Sequence, residues 1–533
     1  MKRLSIITAV AAFLMCVSQA GAADLNVPGD YPAIQGAIQA AKEGDVIIVE
    51  PDTYVERINF MGKAVTVRST NPTDPDTVAA TIIDGDGSGS VVSFVSLEGA
   101  GSILSGFTIC NGNAQLGGGI YCNGPTSPGI DNCVVRGNSG DHGGAIFCGG
   151  PASPTIVDCV IAGNSASRGG GIACSNVAAP ILSGCSIENN TCSESGGGAY
   201  CCLSSSPQFT SCNIRGNSAL NGGAVFCENV SSPAITGCMI EQNTASQSGG
   251  AFYTVSSSAL KVMDGAISGN SASNGGALFC TCGTSPIIRN SVISGNTASS
   301  DGGAIHAVLQ SLPQIIDCTL TGNSGTNGGA VFCSNCSSPR LINCIVSENV
   351  ASQAGGAVYS GGVSSPRITN CTITANSSSL NAAICGSRPS APTITNSILW
   401  NNPPYEIGTG SPQVTYSDVM MPGVTPFSGI GNINADPLFV SANDYHLTGM
   451  SCCIDAGTND APEIPEKDKD GESRILDGNL DGVAIADMGA FEFSHGCRSD
   501  LDGDGDVDGS DLAVLAANLN PDCLEAFASV FGI

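Results

Sequence analysis

The chain has 533 residues, 70 of them Gly and 26 Cys, with 18 Lys+Arg against 46 Asp+Glu and a net charge of −28. That imbalance excludes nucleic acid and anionic membrane surfaces as partners, because nothing in it would neutralise phosphates. Beyond the first 22 residues no stretch reaches about 18 uninterrupted apolar positions, so no transmembrane anchor is expected.

Residues 1–22 carry Lys2 and Arg3, an apolar run and then Ala20-Gly21-Ala22, the pattern of a secretory signal peptide. Cys16 would suit a lipoprotein signal, but Met15 before it fits that signal poorly. Export is therefore expected, to a secreted or cell-surface location. In the 24–112 region, Ile34, Ala37, Ile38 and Ala41 fall at helical spacing, which predicts an amphipathic helix capping the first coil.

From 113 to 402 a 26–27-residue unit repeats. One Asn column reads Asn113, Asn138, Asn164, Asn190, Asn217, Asn243, Asn270, Asn296, Asn323, Asn349, Asn376 and Asn402. Units of this period cannot bury a core alone and must stack, so the fold class is an all-β solenoid. Counting from the first Gly of each Gly-Gly step, position +3 is an unbroken small or apolar column: Ile120, Ile146, Ile172, Ala199, Val225 and onward. Two further apolar columns follow, one containing Ile235 and Val262, the other Ile214 and Ile240. Three short strands per coil, each with one face inward, make a parallel β-helix. Stacked Asn amides would close one corner. An Asn/Asp column that includes Asp158 and Asn290 closes another, and the Gly pairs serve a tight turn.

Two inward positions are Cys-rich: Cys122, Cys148, Cys174, Cys201 and Cys227 in one, Cys133, Cys159, Cys185, Cys212 and Cys238 in the other. Column neighbours at about 4.8 Å lie inside the Cα window for a disulfide. Small buried hydrophobes explain the same columns. Cys333-x-x-Cys336 and Cys280-x-Cys282 have ligand-like spacing but lack a partner pair for zinc.

Position +4 is an outward aromatic stripe whose ligand-binding candidates are Tyr200, Phe226, Tyr253, Phe279, His306, Phe332 and Tyr359. It would stack on sugar rings or dock a partner, or it would simply stabilise neighbouring strands. For catalysis, Glu188, Arg215 and Glu241 form the one mixed-charge cluster on a single face over adjacent coils; a solvated surface offers the same pattern.

Residues 403–493 are irregular and are expected to form the last coils and the C-terminal cap. Within them Asp477-x-Asn479-x-Asp481-Gly482 has the D-x-N-x-D-G spacing of a Ca²⁺ turn without a twelfth-position ligand. In 497–533, Asp500, Asp502, Asp504, Asp508 and Asp511 fall at loop positions 1, 3, 5, 9 and 12, with Gly505 at 6 and the Asp506 carbonyl at 7. That is an EF-hand-like Ca²⁺ loop leading into a small α-helical module. Cys497 and Cys523 bracket it.

Several of these motifs resemble known families. The run from Asp30 to Ser69, with Tyr54 and Glu56 in PDTYVER, resembles the entry coils of the pectin-lyase-like superfamily, although Asp52 replaces the usual Gly. The pectinesterase and polygalacturonase catalytic motifs are absent. The GGA-containing repeats are similar to those of polymorphic outer-membrane proteins, which are surface-exposed and adhesive; their membrane barrel is missing. Residues 436–493 resemble the C-terminal segment of secreted β-helix repeat proteins. The Asp500–Asp511 loop followed by LAVLAANL resembles a type I dockerin repeat, whose second loop is missing here. The resemblance, with the crossover rule, implies right-handed winding. It also implies a cohesin-like partner for the tail. The resulting expectation is an exported, non-catalytic protein contacting polysaccharide or a surface protein along its long face. A polysaccharide lyase or glycoside hydrolase attached through the tail is the alternative, and a purely structural rod a third.

Overall fold

The computed structural model describes residues 22–494. The calcium-loop residues Asp500–Asp511 and the flanking Cys497 and Cys523 lie outside them. The described chain is a parallel β-solenoid, and every strand pairs in parallel with its equivalent one coil away. Asn217 donates its backbone N–H to Asn243 Oδ1 at 3.0 Å, so residues one repeat apart are vertical neighbours.

Each regular coil contributes four strands rather than the expected three. In one coil these are Ala199–Cys201, Gln208–Thr210, Asn213–Arg215 and Ser218–Asn221. They belong to sheets of 13, 16, 15 and 11 strands, here called the aromatic, proline, pre-ladder and post-ladder sheets. The fourth strand is the Ser/Thr-rich segment between each ladder Asn and the Gly pair. Its length varies by a residue between coils, and bulges absorb the difference, as between Ala219 and Asn221. A variable, polar segment hid a strand because its alternation sets small Ala residues such as Ala219 and Ala245 inward rather than large aliphatics.

The core is one continuous column of side chains from the +3, post-proline and pre-ladder positions, including Phe209, Ile214, Val225, Ile235 and Ile240. Both cysteine columns are buried inside it. The expected vertical disulfides are not formed: the described cysteines are free thiols. In-register parallel strands translate a whole residue by about 4.8 Å, which leaves Cβ atoms farther apart than the roughly 3.5–4.5 Å a disulfide needs. Burial pushes the Cys280 and Cys333 thiols well up, so these buried sulfurs are protonated.

The corners are set by backbone conformation. The Asn/Asp column between the proline and pre-ladder sheets is left-handed throughout, with Asp158 at φ 49° and Asn290 at φ 47°. Asn and Asp tolerate that region better than other side chains. At the coil ends, helix α1 (Ile34–Ala40) buries Ile34, Ala37 and Ile38 over the first strands. After Trp400 the chain adds strands Gln413–Thr415 and Asp418–Val419 and then turns back. It returns along the outside of the Asn/Asp corner instead of sealing the end alone. Asn396 Nδ2 donates to Thr458 O at 2.8 Å, Asn370 Nδ2 to Asp487 O at 3.3 Å, and Asn343 Nδ2 to Lys467 O at 3.1 Å. Arg474, fully buried, ties this strap down through Glu492 Oε1 at 2.8 Å and through Asn343.

Candidate functional site: a vacancy in the aromatic ladder

The +4 column points away from the core, as its parity requires, but it does not present ring faces to solvent. The rings stack on one another along the solenoid axis. Centroid spacings are 5.7 Å for Tyr200–Phe226, 4.8 Å for Phe226–Tyr253, 5.0 Å for Tyr253–Phe279 and 4.6 Å for His306–Phe332. Phe332 and Tyr359 are within 2° of coplanar orientation. Tyr200 is 3% exposed and Phe226 and His306 are each 7% exposed, while Tyr253, Phe279, Phe332 and Tyr359 are half-buried. Of the two expectations, the open stripe and the ladder that stabilises neighbouring strands, the stacking follows the ladder.

The ladder forms because the Gly pair leaves room for it. A Cβ on Gly222, at φ +64°, would meet Val225 O at 2.7 Å and Phe226 Cβ at 3.0 Å. Side-chain bulk is excluded there, and the ring occupies the space.

One rung is missing. Ala173 pairs with Phe147 on one side and Tyr200 on the other, so the stack that starts at Tyr121 and Phe147 is interrupted for one coil. Over Ala173 the surface dips into a pocket of about 270 Å³, with Phe147 and Tyr200 as its two walls. One rim comes from the post-ladder sheet, where Leu116, His142 and Arg168 stack in register. The other comes from the turn after the aromatic sheet and carries Ser175, Cys202, Leu203 and Glu228.

The polar groups of this pocket are held in place. Arg168 Nε is 2.7 Å from Glu194 Oε2, and its guanidinium carbon lies 5.9 Å from the Tyr200 ring centroid. The Tyr200 hydroxyl donates to Glu228 Oε1. Burial, reinforced by Glu228, raises the Tyr200 hydroxyl far above its ordinary value. Burial and the Arg168 charge lower His142, which is neutral at pH 7. The pocket therefore presents a neutral imidazole, a phenol and a thiol, with one guanidinium already paired to a carboxylate and a second carboxylate beside it. Such a lining can hydrogen-bond hydroxyl groups and stack on a ring, and it has no unpaired positive charge for an anion.

The other predicted site residues lie elsewhere. Glu188, Arg215 and Glu241 do stack in register on the pre-ladder sheet. Arg215 turns its Nε to Gln242 Oε1 at 3.3 Å, and the trio stands on a different sheet from the pocket. Asp477, Asn479 and Asp481 form an exposed turn whose oxygens accept their own backbone: Asp481 N–H donates to Asn479 Oδ1 at 2.9 Å and Gly482 N–H to Asp477 Oδ2 at 2.9 Å. Among the described residues no three His, Cys, Asp or Glu side chains are grouped to hold a metal ion, and no helix is long and apolar enough to cross a membrane. His142, Arg168 and Glu228 were not legible as a site. The available signal was Ala173, the small residue in an otherwise aromatic column.

Residues 93–292 and 263–417 match the family described as "Right handed beta helix region". The chain belongs to that family. Its coils therefore wind to the right, and the four-sheet solenoid described above is this chain's version of the β-helix. No curated protein matches it. Among solved structures, pectate lyase Pel9A is 13% identical, with 89% of this chain and 97% of that chain covered and a TM-score of 0.36. The Siphovirus 9NA tailspike receptor binding domain is 11% identical, with 79% and 78% covered and a TM-score of 0.23.

Proposed function

We propose that this β-helix is an exported, non-catalytic polysaccharide-binding protein whose binding site is the pocket over Ala173. The observation that carries this reading is the interruption of the ladder. Elsewhere in the stack each ring lies against the next, whereas here Ala173 leaves out a ring and the pocket opens beside Phe147 and Tyr200, with His142 and Arg168 against the Tyr200 ring. Rings with hydroxylated edges satisfy both the apolar walls and the polar rims. The signal-peptide pattern of residues 1–22 supports export. The Asp500, Asp502, Asp504, Asp508 and Asp511 carboxylates with the Asp506 carbonyl support a calcium-binding tail. That tail is the proposed attachment point, through a cohesin-like partner.

Polysaccharide cleavage is the competing activity, and one assay separates the two. The full chain is mixed with a panel of insoluble polysaccharides and scored for both retention and released product, with calcium and with EDTA. Retention on at least one polysaccharide without product is expected, and it should survive EDTA because the pocket uses no metal. Product release would overturn the non-catalytic reading, and failure to be retained on any member would overturn binding.

A further inference from the structure

We infer that the corner between the aromatic and proline sheets docks a second copy of this chain. The two solenoids run antiparallel about a two-fold axis at the Leu309 turn, with Cys282 of each copy joined to Cys336 of the other. The inference goes beyond the polysaccharide-binding reading and takes from it only export, which puts the thiols in an oxidising setting. Successive turns of this corner are in register: Val308 N–H donates to Cys280 O at 3.0 Å, and Ser334 N–H to Ala307 O at 3.0 Å. Each turn pushes two residues outward. In three consecutive turns these are Cys282 and Gly283, Leu309 and Gln310, and Asn335 and Cys336, all exposed. Leu309 is 48% exposed in left-handed backbone at φ 53°, a placement that costs a lone copy stability and gains it nothing. Beside it a hollow of about 460 Å³ extends to Val363 and Pro389, with Cys336 in its lining.

Charge selects the occupant and its direction. The chain carries a net charge of −28, yet the turns 255–260, 281–286, 308–313, 334–339 and 361–366 hold no Asp, Glu, Lys or Arg. Two copies meet along this strip without the repulsion their other faces would bring. The next turns outward carry Glu228 on one side and Arg388 on the other, each three coils from Leu309. An antiparallel axis sets Glu228 opposite Arg388 of the other copy, whereas a parallel one sets like charge against like. The antiparallel axis also sets Cys282, one coil before Leu309, opposite Cys336, one coil after it. Within one chain these thiols are two coils apart, roughly 10 Å, beyond the roughly 7 Å that a disulfide tolerates between Cα atoms. A strip one turn wide is slender beside the about 800 Å² per partner of a standard interface, and the two disulfides supply the closure.

The oxidant is a low-molecular-weight disulfide. The Cys282 thiolate attacks one of its sulfurs and releases one small thiol; the other copy's Cys336 thiolate then attacks the Cys282 sulfur of the mixed disulfide and releases the second. Each bond between the copies passes two electrons to one small disulfide, and the protons of Cys282 and Cys336 leave on the two thiols it yields. The test incubates reduced full-length protein with oxidised glutathione. It reads sedimentation, mobility on a non-reducing gel and, by mass spectrometry of the digest, which cysteines are linked. A dimer whose peptides join Cys282 to Cys336 is expected. Cys282→Ser alone and Cys336→Ser alone should each lose it, because the axis faces the remaining thiol with a serine, and an equal mixture of the two variants should recover it through one bond. Unchanged thermal unfolding shows that each variant is folded. Links from Cys282 to Cys282 or from Cys336 to Cys336 would overturn the antiparallel arrangement. Wild type that stays a glutathionylated monomer, or a dimer joined through other cysteines, would overturn the interface. Polysaccharide retention is scored on the reduced protein, so the binding reading stands or falls separately.

Discussion

Each ladder asparagine is committed at both ends of its amide. Asn217 Oδ1 accepts from Asn190 N–H and Asn190 Nδ2, each at 3.0 Å, while its own Nδ2 donates to Ile187 O at 2.8 Å and to Asn243 Oδ1 at 3.0 Å. The turn backbone is buried, so these groups have no water to fall back on. Replacing Asn217 by Ala leaves the Asn190 N–H buried without an acceptor, at a cost of about 3 kcal/mol. Urea unfolding of Asn217→Ala should show that loss, and a stability within 1 kcal/mol of wild type, in round terms, would contradict it. The ladder's beginning shows how far a sequence pattern reaches. Asn113 is in the column by type, yet its spacing to Asn138 is one residue short, and it pairs instead with Ser139 in the post-ladder sheet. Gly112 occupies the rung and donates its N–H to Asn138 Oδ1 at 2.9 Å. At the other end, Glu406 replaces the next amide: Asn402 N–H donates to its Oε1 at 2.9 Å and Asn402 Nδ2 to its Oε2.

At the scale of the coil, the two glycines of each pair do different work. The first is left-handed; the second lies against the next coil, where a Cβ on Gly223 would sit 2.3 Å from Gly250 O and 2.7 Å from Thr244 N. No rotamer change relieves a clash with backbone, so Gly223→Ala must push two coils apart. Gly237 is also left-handed, at φ +62°, but a Cβ there meets nothing closer than Ser211 Oγ at 3.8 Å. Gly237→Ala should therefore cost only about 1–2 kcal/mol, and Gly223→Ala at least about 3 kcal/mol. Equal melting temperatures for the two variants would show that inter-coil approach does not limit the stack. The C-terminal strap is an element of another kind, held to the coils by side chains of the corner column and braced within itself by the buried Arg474–Glu492 pair rather than by strand pairing.

Over the whole molecule, buried carboxyls gather at the C-terminal end. Burial is the main cause that raises Asp418 to about 6, Glu406 and Asp487 to about 7 and Glu492 to about 9. In the unfolded chain these groups titrate near 4, so between the two values the folded state holds more protons. The stabilisation is complete below about pH 4 and is lost as pH rises through 6, 7 and 9. The carboxylates whose values are lowered, Asp30, Asp45 and Asp74, act in the opposite sense and at lower pH. The melting temperature should therefore fall from pH 5 to pH 9, with a shallower slope between 5 and 8 for Glu406→Gln. A melting temperature that rises over that interval would contradict the assignment.

By itself the sequence determined the solenoid, because a fixed period makes every residue type a column and the columns of Ile, Cys and Asn can be counted without coordinates. Parity then placed the +4 residues outside the core. It could not say that their rings would lie face to face, since that depends on the 4.6–5.8 Å rise between them and on the glycine clearance beside them. The fourth strand, the free thiols and the folded-back strap were likewise decided by distances across the assembled coil. So was the pocket: Ala173 is unremarkable as a letter and becomes a site only when Phe147 stands below it, Tyr200 above, Arg168 of its own coil on one rim and His142 and Glu228 of other coils beside it.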